Sequence, residues 1–390
     1  MIDLIAQKSD QVLEILKRHD IDMWLVAARE SSISRDPIMP LIIGAEVTWT
    51  SFFIFTSSGR RIALVGNYDE PRYRQEGHFD EVIAFTEGVR TDFLRVLNDL
   101  NPRQIAINYS HDNPVADGLG HGFYLQIVQM LSETPYANRL ISSEELITEL
   151  VSVKSSEEIE RIGQACKITD QILNAIIRQV RPGMGGAEIY DFVQKKMKSK
   201  KVVQSFDPTI IIGTKSDMGH GVFSDAVLER GDILFIDFGV YYQDYCSDLS
   251  RCIYYLKDGE TEAPEIVRQA FDTVRNVIVK STKAAKPGVK GYKLDEKARA
   301  ILTKAGYPEY QHALGHQIGR NVHDGGTILA PRWERYGQEP YGPILENSAF
   351  AVELSVTVDG YGIVGLEENI LVTPTGGKYI SKPQRRMICV

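Results

Sequence analysis

The 390-residue chain has few cysteines: Cys166, Cys246, Cys252 and Cys389, with no CxxC spacing among them. That excludes a disulfide-stapled small fold and a cysteine-built zinc site. A basic excess is also missing, since 44 Lys and Arg face 52 Asp and Glu for a formal charge of −8. Such a chain has no electrostatic footprint for nucleic acid. With 43% hydrophobic residues, it is not acidic or polar enough to be disordered. No apolar run approaches the ~18 residues that a transmembrane helix needs. The opening Met1 to Lys8 carries charges where a signal peptide needs an unbroken apolar core. The expectation is a cytoplasmic protein with reduced thiols, acting on a small molecule or peptide, with no nucleic-acid or membrane partner.

What is there points to two domains. Over residues 1–150, helical spacing at 8–19, 91–100 and 115–131 alternates with strand-like runs at 21–27, 49–55, 61–65, 79–85 and 104–108, an α/β pattern. Near residue 150 the character changes. Ser155-Ser-Glu-Glu158 is a capping-box pattern that opens a long helix through about Gln179. That helix stops at Arg181-Pro-Gly183, and a shorter helix follows at 187–200. After a glycine-flanked histidine, His220, comes an acidic strand-rich stretch with Asp237 and Asp248. The same order of parts then recurs. A long helix at 264–283 stops at Lys286-Pro-Gly288, and a shorter one follows at 293–305. Next come Gly315-His316 and a second acidic hairpin with Glu353 and Glu367.

A duplicated half built around one site would bring Asp237, Asp248, Glu353 and Glu367 together. Four carboxylates in one cleft cannot all stay ionised without compensating charge. Two divalent cations would balance them, with His316 as a nitrogen ligand, and oxygen-rich donors suit Mn, Co or Fe, with Zn an alternative. A salt-bridged surface turn is the bland alternative for Asp237 and Asp248. It leaves the second acidic hairpin unexplained.

At this point the chain resembles the pita-bread metallopeptidases, which include methionine aminopeptidase, aminopeptidase P and prolidase. The resemblance covers about residues 155–380. It rests on Asp237-Phe-Gly239, on Tyr245-Cys-Ser-Asp248-Leu-Ser-Arg251 and on Gly315-His316-Gln-Ile-Gly319 followed by His323. Glu353 and Glu367-Glu368-Asn-Ile-Leu-Val-Thr373 complete it. The implied fold class is α+β: a creatinase-like N-terminal α/β domain over 1–150, then a pita-bread catalytic domain over 151–390 with an internal pseudo-two-fold duplication. The resemblance also implies two divalent metal ions per chain, manganese first, held by Asp237, Asp248, His316, Glu353 and Glu367. It implies Glu353 as general base, His220 and His323 as substrate-holding histidines, and a homodimer. The function it implies is that of a dinuclear hydrolase, a Xaa-Pro dipeptidase or aminopeptidase that cleaves short peptides with metal-activated hydroxide. Four departures from the family pattern put the substrate pocket in question: Gln317, Leu354, Gly365, and His323-Asp324-Gly325-Gly326 where the family usually has His-Glu-x-Pro. The alternatives are a same-fold lyase or amidohydrolase acting on a small non-peptide molecule, and a non-enzymatic peptide-binding module.

Overall fold

The computed structural model describes residues 3–216 and 226–390, which fall into two compact units, Met1–Val151 and Ser152–Val390. The first unit is a six-stranded mixed sheet. Its order is Glu81–Phe85, Arg61–Gly66, Ser51–Thr56, Met23–Ala28, Ile105–Ile107, Leu140–Ser142. Alternation along its central strand sends Trp24, Val26 and Ala28 to one face, against Val12, Ile15 and Leu16 of the first helix. Met23, Leu25 and Ala27 go to the other face, against Phe93, Val96, Leu97 and Phe123. Both faces are covered by helices, which is why this strand is apolar without a break.

The expected helix at 115–131 begins only at His121. The Asn113 side-chain oxygen instead accepts from the Val115 amide in a side-chain-closed turn. Gly118 then lets the Asp36 carboxyl pack against its backbone. Local side-chain bonding of this kind competes with helix formation.

The second unit holds the repeat. Helices Ser156–Gln179 and Gly186–Ser199 pack on a four-stranded sheet that contains Thr209–Ile212, Ile233–Phe238 and Leu249–Tyr254. Helices Glu265–Ala284 and Gly291–Lys304 pack on a second, which contains Gly315–Gln317, Ala349–Val358 and Gly362–Thr373. The expected capping box is present, with Ser155 and Glu158 bonding each other's backbone. The turn after each long helix carries a glycine in the left-handed region, Gly183 at φ 100° and Gly288 at φ 84°. These positions disfavour any residue with a Cβ. Each glycine amide donates to the loop just before a strand that carries one of the acids, to Leu228 O at 2.7 Å and Ile344 O at 2.9 Å. The two halves are therefore stitched alike, although their sequences share little.

Candidate active site

Strand Ile233–Phe238 pairs antiparallel with Leu249–Tyr254, placing Asp237 opposite Ser250. Between them is no simple hairpin. Tyr241–Tyr242 and Tyr245–Cys246 form a small ladder of their own, turned by Gln243 and Asp244 at φ 47° and 66°. Asp248 lies where this inserted tip rejoins the main ladder, so its direction is not set by the alternation that sets Asp237. In the other half, Glu353 lies directly opposite Glu367, and His316 is opposite Ala351 on the neighbouring strand. Gly315 is crowded by the Ala351 carbonyl and has no room for a side chain.

These elements bring the predicted groups together. His316 Nε2 lies 3.5 Å from Asp248 Oδ2 and 4.0 Å from Glu353 Oε1. Asp248, His316 and Glu367 each offer a ligand atom, and these atoms all lie within 4.8 Å of one another. Asp237 is close enough to raise the pKa values of Asp248, Glu353 and Glu367. The His323 ring stands nearly perpendicular to that of His316, with centroids 4.3 Å apart. His220 lies outside the described residues.

Burial dominates the electrostatics. It pushes the Asp248 and Glu367 carboxyls well above the usual range, and the neighbouring acids add to the effect. Glu353 rises to about 8, first through burial and then through Asp237. Its side chain keeps 35% of its surface accessible, but its carboxyl faces the other acids. His316 falls to about 3, from burial and then from His323, so its imidazole is neutral and its lone pair available. Asp248 Oδ1 is buried without a hydrogen-bond donor among the described residues. Several acids around a neutral imidazole, one with an orphaned oxygen, form a donor set that fits divalent cations.

Behind the acids lies a layer that the motifs alone do not reveal. Asn369 Nδ2 donates to the Asp248 carbonyl at 2.7 Å, and its Oδ1 accepts from the Asp248 amide at 3.1 Å. Buried Arg251 donates to Glu368 at 3.0 Å and to the Glu367 carbonyl at 2.7 Å. Two of the departures, Gln317 and Leu354, face away from the cluster. Gln317 is buried and donates to Ser152 Oγ and the Thr327 carbonyl, and Leu354 lies in the core. Gly365 shares a strand face with Glu367. A Cβ there would come within 2.8 Å of Phe235 Cε2 and 2.9 Å of Ser355 Cβ.

The family description for metallopeptidase family M24 matches residues 160–374. The chain belongs to metallopeptidase family M24. The Xaa-Pro dipeptidase of Pyrococcus horikoshii is 26% identical over 389 residues, 99% of this chain and 100% of that protein. The Xaa-Pro dipeptidase of Pyrococcus furiosus is 30% identical over 264 residues, 67% of this chain and 72% of that protein. The crystal structure of an X-Pro aminopeptidase from Thermotoga maritima matches with a TM-score of 0.73 and 25% identity, covering 98% and 99% of the two chains. The expected pita-bread family and mixed two-domain fold are thus borne out. This M24 chain is a metallopeptidase, and the acidic cluster lies within the matched segment.

Proposed function

We propose that this M24 metallopeptidase is a Xaa-Pro peptidase, acting on dipeptides or on the N-terminal bond of short peptides. The observation that carries the reading is the cluster itself. Three acids and a neutral imidazole, with Asp237 beside them, gather at a family-matched site in a chain colinear with a Xaa-Pro dipeptidase. Asp237, Asp248, His316, Glu353 and Glu367 would hold two divalent cations, whose four positive charges balance the four carboxylates. Manganese comes first for so oxygen-rich a donor set. Bound there, the metals supply Lewis acidity and bring a water's pKa towards neutrality. Glu353, whose side chain keeps 35% of its surface accessible, takes the proton from the attacking water and hands it to the leaving nitrogen as the amide bond breaks. His323 donates a hydrogen bond to the substrate carbonyl oxygen, where negative charge develops. His220 shares that role by its motif position. A homodimer belongs to the same reading through the family resemblance. A cytoplasmic setting does too, supported by four free thiols, three of them buried.

The test is hydrolysis of Xaa-Pro dipeptides, longer Xaa-Pro peptides and Met-peptides by metal-loaded protein, with metal analysis alongside. Two transition-metal ions per chain and cleavage before proline are expected. Glu353→Gln should lower kcat by about 10²–10⁴-fold. Failure to cleave any of these peptides, with Glu353→Gln behaving as wild type, would overturn the reading. Light scattering tests the dimer.

A further inference from the structure

Behind His323 lies an ion pair that the proposed chemistry does not use. Lys154, whose side chain is 0% exposed, donates to Asp324 Oδ2 at 2.8 Å across most of the unit's sequence. The other oxygen of Asp324 accepts from the Asn321 amide at 3.0 Å and from its side chain at 3.1 Å. The Asp324 amide in turn donates to the Gln317 carbonyl at 3.0 Å. One carboxylate therefore closes the loop that leaves the His316 strand and carries His323. The same loop is tied to the Asp248 side of the site, with Cys246 N donating to Gly319 O at 2.9 Å. A Cβ at Gly319 would collide with the Asp324 carboxyl and crowd Lys154 Nζ, so the ion pair occupies the space that a side chain there would need.

We propose that the Lys154–Asp324 pair is a positioning device that holds His323 perpendicular to His316 and so sets where the substrate carbonyl is met. This rests on the reading of His323 as a substrate-facing group. A buried pair is a costly way to gain stability, because apolar residues of similar volume often serve as well. The loop geometry is what the pair adds.

The test compares Lys154→Met, Asp324→Leu, the double variant and Asp324→Glu. Each single removal strands a buried charge and should lower Tm. The double variant should regain most of that loss, yet keep kcat lower by on the order of 100-fold, with KM little changed, because the reacting groups are misplaced. Asp324→Glu should keep the charge pair and the Tm but lose kcat, since the loop must shift by a methylene. In a crystal structure of the double variant, the 4.3 Å ring separation should be lost. If kcat returns together with Tm, or Asp324→Glu is fully active, or the two rings stay in place, the pair is merely structural and the proposal fails. Should the wild type cleave no peptide, the functional reading fails instead, while the ring geometry still decides this one.

Discussion

Asn369 grips the peptide of Asp248 from both sides, through its carbonyl and its amide. It also accepts from Cys166 Sγ at 3.2 Å. Groups that orient a metal ligand govern affinity nearly as much as the ligand does. Asn369→Ala is therefore expected to weaken metal binding by roughly 10–100-fold, read by competition against a metallochromic chelator, with the fold retained. Arg251 neutralises buried Glu368, which also accepts from Ser381 and the Gln384 amide. Arg251→Met should cost about 3–5 kcal/mol, because it leaves that acid uncompensated, and denaturant unfolding would measure it. The acids at the centre are legible in the sequence because ionised residues on apolar strands demand an explanation. Asn369 and Arg251 stand inside the motif stretches, but their partners are not legible, since a single amide or guanidinium in a strand has no periodicity to mark its partner. Gln317 and Leu354 show the converse, standing out as departures in sequence while pointing away from the cluster.

At the scale of elements, the helix–glycine–helix rhythm is legible because backbone geometry enforces it. Gly183 and Gly288 adopt positive φ, and that requirement survives where side chains have diverged. The capping box at Ser155 is legible for the same reason. Ser155→Ala should cost about 1 kcal/mol, read by thermal unfolding. Gly315 is constrained differently, by the close approach of the Ala351 carbonyl. Gly315→Ala should push the His316 strand off its neighbour and lower metal affinity more than Ser155→Ala does, a contrast that metal titration of both variants checks. Short elements escape sequence reading. Helices Met39–Ile42, Glu70–Glu76 and Glu144–Ser152 are too brief, or too interrupted by proline, to show a clear apolar stripe. The inserted Tyr241–Cys246 ladder is hidden because its length matches a plain hairpin loop.

For the whole molecule, the acidic cluster couples stability to protons and to metal, which relieve the same repulsion and so compete. Glu353 titrates from 4.5 in the unfolded chain to about 8 in the folded, metal-free protein. The folded state thus holds this proton more tightly, and Asp248 and Glu367 shift the same way. The Glu353 contribution is fully present below about pH 4.5 and is lost as pH rises through about 8, and the two other acids act in the same direction. Metal-free protein should therefore show a falling Tm between about pH 5 and 8. Metal at 100 times its Kd should add about 2.7 kcal/mol and flatten that decline, because the cation then supplies the charge that the protons had supplied. Scanning calorimetry with and without metal tests both. Asp237 and Asp248 belong to the first repeat, and His316, Glu353 and Glu367 to the second. A nascent fragment that stops short of strand Gly362–Thr373, which carries Glu367, lacks part of the cluster. On the proposed ligand set, metal loading is a clasp that closes only when both halves have docked.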